Sequence, residues 1–153
     1  MPTTTNYSNR SLDLSIFPLK KTEKPSSLGL RPTVLVITGK LKASQNYIKA
    51  LLSNIGERKE DESFGSTLMS DIKSSNISFP IQIQQSFSSQ NLFVLRWIKK
   101  QYNETTPLDE RIKKAELINY SIQPGGKVFL DIKLYTEAGE VADIHLPVTW
   151  NKE

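Results

Sequence analysis

The strongest constraint on the fold lies in the last third of the chain, where the hydrophobic period is two. Val128, Leu130, Ile132 and Leu134 alternate with Phe129, Asp131, Lys133 and Tyr135, and Ala142, Ile144, Leu146, Val148 and Trp150 repeat the pattern. Successive side chains of a strand point to opposite faces, so each run reads as a strand with one buried side. Pro124-Gly125-Gly126 supplies a turn before the first run, and a second turn at Glu137 to Glu140, containing Gly139, joins the two. Upstream, within Lys114 to Ile122, Ile118, Tyr120 and Ile122 share a face. Together the three segments predict an antiparallel three-stranded meander. Pro147 has no N–H for a ladder, which makes the last strand an edge, at least on the side that the missing group faces.

Elsewhere the period is helical. Between Ser44 and Ile55, Ile48, Leu51, Leu52 and Ile55 fall at i, i+3, i+4 and i+7, with Ser44 placed as N-cap and Gly56 as the C′ residue. A charged loop, residues 57–62, leads to Phe64-Gly65 and a short helix from about Ser66 to Ile72. The second main helix is predicted from about Ser89 to Tyr102, with Leu92, Leu95, Ile98 and Tyr102 on one face and Phe93 and Trp97 widening it. Residues 73–91 carry many Ser, Asn and Gln, and Phe79, Ile81 and Ile83 alternate around Pro80, so this stretch reads as an insertion loop or at best an edge strand. Residues 1–32, interrupted by Pro18, Pro25 and Pro32, read as an extended arm in which Leu12, Leu14 and Ile16 alternate and need a partner strand. A chain of 153 residues has room for one domain. The expected fold is therefore α+β, with two main helices packed on a small C-terminal antiparallel β-meander. The arm occupies 1–32, and a single domain runs over 33–153 with the insertion at 73–91.

Little catalytic chemistry is within reach of this composition. The chain has no cysteine and one histidine, His145, which excludes disulfides, thiol nucleophiles and the usual Cys/His zinc sites. His145 stands beside Asp143 in a strand, but no Gly-x-Ser-x-Gly elbow accompanies it. No phosphate-binding loop or Gly-x-Gly-x-x-Gly turn is present, and no cofactor is expected. Glycoside hydrolysis needs only two carboxylates about 5–10 Å apart, one of them desolvated. Glu57, Glu60, Asp61 and Glu62 supply carboxylates near Phe64, but they alternate with Arg58 and Lys59 on a polar loop where nothing desolvates them. A solvated or ion-paired loop is the favoured reading, with a glycosidase as the alternative.

Charge is distributed unevenly. Residues 1–103 hold 14 Lys and Arg against 7 Asp and Glu, whereas residues 104–153 hold 6 against 9. Lys40, Lys42, Lys49, Arg96, Lys99 and Lys100 offer a basic patch, yet their spacing matches no helix-turn-helix, RNA-recognition or zinc-finger pattern. A basic body and an acidic sheet suit a protein facing two different partners better than a nucleic-acid binder, which stands as a second alternative. The longest aliphatic run, Val34 to Ile37, falls far short of the roughly 20 residues of a membrane span. Met1 to Arg10 shows no apolar signal core, so a cytoplasm-like compartment is expected. What remains is a sheet edge and a polar arm. The edge either receives a strand from a neighbour or is covered by the chain's own arm.

Several short motifs add to this pattern. A Leu-Asp-Leu-Ser stretch, Leu12 to Ser15, is followed by an apolar helix ending in Gly56-Glu57-Arg58. Phe64-Gly65, a second helix, the acidic-arginine motif Asp109-Glu110-Arg111 and the C-terminal strands come next. In these features the chain resembles the small wedge subunits of contractile-tail baseplates, the lysozyme-like or sheath-initiator family of contractile phages and type VI secretion baseplates. The resemblance spans residues 10–148 and is densest over Ile48 to Ile72. Glu62 stands where the family often has proline, Glu110 replaces the proline of the family's Glu-Pro-Arg, and residues 18–40 and 73–91 look like insertions.

The resemblance implies a non-enzymatic structural subunit of a virion tail baseplate, present in the host cytoplasm during assembly. Its implied partners are larger baseplate wedge subunits and the tail sheath protein, with tail tube or hub proteins as further contacts, and neither membrane nor nucleic acid. Implied interface residues are Glu57, Arg58, Phe64 and Gly65 in the first motif. Asp109, Glu110 and Arg111 would dock to the helical core bundle of the larger wedge proteins. Val141, Asp143, His145 and Thr149 lie on the sheet that would accept the first sheath ring by strand exchange.

Overall fold

The computed structural model describes residues 13–14, 36–74, 80–124 and 127–149. In chain order the elements are β1 (Asp13–Leu14), β2 (Val36–Ile37), α1 (Gly39–Leu52), α2 (Leu68–Lys73), α3 (Pro80–Lys100), β3 (Ile112–Gln123), β4 (Lys127–Thr136) and β5 (Val141–Thr149). The expected α+β arrangement is present, with helices packed on the antiparallel meander β3-β4-β5. β1 and β2 form a separate antiparallel pair, so Leu14 of the predicted arm finds its partner in Val36. The rest of the arm, Phe79, the Gly125-Gly126 turn and Trp150 lie outside the described residues. No helix among the described residues is long and apolar enough to cross a membrane.

Alternation in the sheet follows the sequence. Val128, Leu130, Ile132, Leu134, Ile144, Leu146 and Val148 are all buried on the face that the helices cover. Opposite them, on the outer face, Lys133 lies near Asp143 and His145 Nδ1 near Asp131, surface pairs that add little stability. β3 is irregular against β4 at two places, between Ile112 and Lys114 and between Leu117 and Asn119, and the second alters the expected face. Leu117 pairs with Ile132 and Asn119 with Asp131, so Ile118 is the extra residue of a bulge and stands 57% exposed. Tyr120 and Ile122 therefore share a face with Leu117 instead of with Ile118.

The helices begin earlier than their hydrophobic runs suggest. α1 starts at Gly39, after Thr38, and Ser44 sits in its second turn, where its hydroxyl donates back to the Lys40 carbonyl at 2.8 Å. The buried face carries Ala43, Tyr47, Ile48 and Leu51, while Ile55 lies past the helix end and is exposed. Gly56 is in a turn at φ 82° and does not close the helix. The larger correction concerns residues 73–91, of which residues 80–91 belong to α3 and not to a loop or edge strand. Pro80 occupies the first helical position, where its missing N–H has no intrahelical partner to lose. Ile81 and Ile83 discriminate the two conformations. A strand would put both on one face, whereas here Ile83 is fully buried and Ile81 is 54% exposed. Ile83, Phe87, Asn91, Val94, Leu95 and Ile98 form the buried stripe of α3.

One polar chain crosses the core. The Tyr47 hydroxyl on α1 donates to Asn91 Oδ1 on α3 at 2.7 Å, and Asn91 Nδ2 donates to the Ala115 carbonyl on β3 at 2.9 Å. Burial pushes the Tyr47 hydroxyl far above its usual titration range, so it stays a neutral donor. Tyr47→Phe keeps the shape and strands Asn91 Oδ1 in the interior. We expect a loss of about 1–3 kcal/mol, read as a lower urea midpoint with unchanged slope. An unchanged midpoint would show that the bond contributes nothing net.

Candidate functional site: an open sheet edge

A three-stranded sheet has two edges, and the structure treats them differently. α3 runs along the outer edge of β3 and engages its backbone with side chains. Asn91 takes the Ala115 carbonyl, Lys99 Nζ donates to the Lys113 carbonyl at 3.1 Å, and the Ile112 N–H donates to the Tyr102 hydroxyl at 2.6 Å. Beyond these contacts the Ile118 bulge interrupts the regular spacing of edge groups. Covering an edge with a helix and kinking it with a bulge are two standard protections against strand addition.

Among the described residues β5 has neither protection. Among the described residues it pairs with β4 alone, in unbroken register from Tyr135↔Val141 to Lys127↔Thr149. The hairpin fixes which backbone groups face outward. The Thr136 N–H donates to the Glu140 carbonyl at 2.9 Å. Hydrogen-bonded and non-hydrogen-bonded pairs alternate from there, so Val141, Asp143, His145, Pro147 and Thr149 occupy non-hydrogen-bonded pairs and turn their backbone groups away from β4. Pro147 thus lacks an N–H that would have faced outward, and the β4–β5 ladder loses nothing. Four of the implied interface residues, Val141, Asp143, His145 and Thr149, are among the five whose backbone forms this outer edge.

A groove of about 490 Å³ runs beside this edge. Ile37, Leu41 and Ile48 form one wall, and Ala142, Ile144 and Leu146 of β5 the other. Leu41 is 53% exposed and Val141 39%, in keeping with apolar surface left beside unpaired strand groups. A strand added to β5 would lay every second side chain over this wall and present the others next to Asp143 and His145.

The motif residues behave differently. Phe64 and Gly65 are buried: Phe64 packs edge-on to Trp97 at 4.9 Å between ring centroids, and Arg58 lies over its ring at 3.7 Å. Both Glu57 carboxylate oxygens are taken by Asn54, from its N–H and its Nδ2. Glu110 is 7% exposed, accepts the Gly39 N–H at 3.3 Å and pairs with Lys42 Nζ at 2.8 Å. It supplies the acceptor and negative charge that the first turn of α1 does not get from its own N-cap, since the Thr38 side chain makes no cap bond. Arg111 donates from Nε to the Thr106 carbonyl and from Nη2 to the Asn103 carbonyl, both at 2.9 Å, which shapes the 103–111 loop. The Ala138 N–H donates to the Leu108 carbonyl and the Glu137 N–H to the Arg111 carbonyl, so that loop is tied to the β4–β5 turn where the open edge begins. Asp109 lies half-buried between Leu108 and Glu110.

The charged loop gives the glycosidase alternative no support. Asp61 receives the Ser63 hydroxyl at 2.6 Å and the Trp97 indole N–H at 2.9 Å. Chiefly through the Ser63 side-chain bond its carboxyl is held below the usual range, opposite to what a general acid requires. Among the described residues no three His, Asp or Glu side chains cluster to hold a metal ion. Comparison with protein-family models and with curated protein sequences returns no match for this chain.

Proposed function

We propose that the protein is a structural subunit of a contractile-tail baseplate that receives a strand of the tail sheath protein at β5 and joins it to larger wedge subunits. The observation that carries this reading is the asymmetry of the sheet: the β3 edge is engaged by α3, while β5, among the described residues, combines an outer backbone edge without a strand partner and an adjoining apolar groove. Main-chain bonds would supply affinity and the groove would select alternating apolar side chains. The motif resemblance supplies the class of partner. Arg111 serves docking through the loop that it shapes, and Asp109 lies on that loop.

A single substitution separates edge function from folding. Asp143→Pro removes an outward N–H and leaves the β4–β5 ladder bonds in place, as Pro147 already does four residues along. The expected outcome is a baseplate that still incorporates the subunit but starts sheath assembly at least about tenfold less often, the effect of losing one or two main-chain bonds. Normal sheath polymerisation on a baseplate carrying the folded variant would end the proposal.

A further inference from the structure

The side chains along the outer edge of β5 form a pattern that is complementary to itself. Val141, Asp143, His145 and Pro147 point to the sheet face away from the helices, in the order apolar, carboxylate, imidazole, apolar, and all four are exposed. The Asp143 and His145 side chains are 65% and 80% accessible. Each already has a neighbour on β4: Lys133 Nζ lies 3.7 Å from Asp143 Oδ1, and His145 Nδ1 lies 2.8 Å from Asp131 Oδ1. The first contact is beyond hydrogen-bond range and the second uses one ring nitrogen, so the carboxylate retains acceptor capacity and the imidazole retains Nε2.

We infer that the protein forms a two-fold dimer through β5, with β5 of a second copy added antiparallel and the axis at Ile144. Only residues whose backbone groups face outward can form the hydrogen-bonded pairs of such a contact, which restricts the registers to a few. An axis at Asp143 sets two carboxylates directly opposite each other, and an axis at His145 or Leu146 sets Asp143 or His145 against Pro147. With the axis at Ile144, Asp143 of each copy faces His145 of the other, and Val141 faces Pro147. On the helix side Ile144 meets its own copy and Ala142 meets Leu146, next to the groove wall where Leu41 is 53% exposed. The contact makes about six main-chain bonds, because Pro147 accepts from Val141 and has nothing to donate. Such an isologous pairing closes after two copies, and it leaves no β5 edge on which further strands could add.

Association is linked to protons through His145. Its ring must carry both protons to donate to Asp131 and to Asp143 of the second copy at once, so the dimer is favoured on the acid side and weakens as pH rises. The other ionisable groups on this face are Lys133 and Tyr135 of β4 and Lys114 and Glu116 of β3, and the helices lie on the opposite face. Glu116, Lys133 and Asp143 stand directly opposite one another in a row that alternates in sign and ends in a carboxylate at the edge, where the second copy supplies the next cation. The dimer occupies the edge that the preceding section assigns to a sheath strand, so it is a stored form that must part before that strand is received. It rests on the β5 edge and not on the identity of the strand.

The test is sedimentation equilibrium of the full chain at about pH 6 and about pH 8. A monomer–dimer equilibrium is expected, with a dissociation constant about tenfold lower at the acid pH. Asp143→Lys sets a cation against the protonated imidazole and should weaken the dimer at least about tenfold at the acid pH. His145→Lys keeps a cation opposite Asp143 at both pH values, so its dimer should persist at the higher pH, a gain that misfolding would not produce. A chain that stays monomeric at about 1 mM at the acid pH, a dimer that Asp143→Lys leaves unchanged, or a His145→Lys dimer weaker than the natural one at the higher pH would each overturn the inference. None of these results bears on sheath assembly with Asp143→Pro, so the two proposals fail separately.

Discussion

Replacing Glu110 by alanine should destabilise the protein by about 3–5 kcal/mol, the cost of leaving one member of a buried ion pair without the other. The Lys42 and Glu110 side chains are 13% and 6% exposed, so little water reaches the pair. The same carboxylate accepts the buried Gly39 N–H, at a helix start whose own N-cap side chain makes no bond. Two further variants separate these contributions. Glu110→Gln keeps an oxygen near the Gly39 N–H and removes the charge. Joint replacement by Leu at 110 and Met at 42 removes both charges and should recover all but about 1–3 kcal/mol, the cost of the orphaned N–H. Urea unfolding of the four proteins gives the comparison. A loss under about 1 kcal/mol in Glu110→Ala would refute the assignment of Glu110 as the cap of α1.

Gly65→Ala is expected to have a comparable effect, about 2–6 kcal/mol, from the sum of a strained backbone and a steric clash. Gly65 has φ 114°, and a Cβ there would lie 2.7 Å from the carbonyl oxygens of both Ser53 and Asn54. Those oxygens are main-chain atoms and cannot swing aside. The close approach lets the Ser66 N–H reach the Ser53 carbonyl at 2.8 Å and the Ser66 hydroxyl reach the Leu51 carbonyl at 2.6 Å, closing the end of α1. Gly139→Ala is the matched control. Its φ is 83°, but nothing lies within 4 Å of the added methyl, so only the conformational cost of about 1–2 kcal/mol applies. Equal losses at the two sites, in thermal or urea unfolding, would mean that the loop at Ser53 and Asn54 yields and the clash account is wrong.

Both predictions concern residues that the motif resemblance places at a partner interface. In the folded chain Phe64, Gly65 and Glu110 are interior, and their work is to position surfaces that others present. Phe64 supports Arg58, which lies over its ring, and Glu110 anchors the start of α1, whose Leu41 and Ile48 line the groove beside β5. A short motif marks positions with narrow tolerance. Whether the intolerance comes from a partner or from the chain's own packing depends on burial, which the motif does not encode.

Legibility differed by element for a physical reason. β4 and β5 alternate over a full strand length, and one face of each is buried along its whole length, so period and burial agree. In β3 a single bulged residue shifts the faces at Ile118, and no local signal marks it because Ile suits either side. Around Pro80 the run of Phe79, Ile81 and Ile83 imitates a strand over five residues, and only the longer stripe to Ile98 reveals the helix. The proline itself is neutral evidence, since it suits a helix start as well as a strand edge.

The sequence by itself determined the meander, the first amphipathic helix, the C-terminal half of the second and the exclusion of thiol chemistry, because periodicity and composition are local properties that any compact state must respect; Leu92, expected on the second helix's apolar face, is 67% exposed. The sequence also marked β5 as an edge through Pro147. Only the tertiary structure decided which edge is left without a partner among the described residues. That choice depends on α3 lying along β3 through Asn91 and Lys99, with Tyr102 just after the helix, and on a carboxylate 71 residues away in sequence holding the first turn of α1 in place. Contacts between residues so far apart in sequence are set by how the layers pack, and no pattern within one segment specifies them.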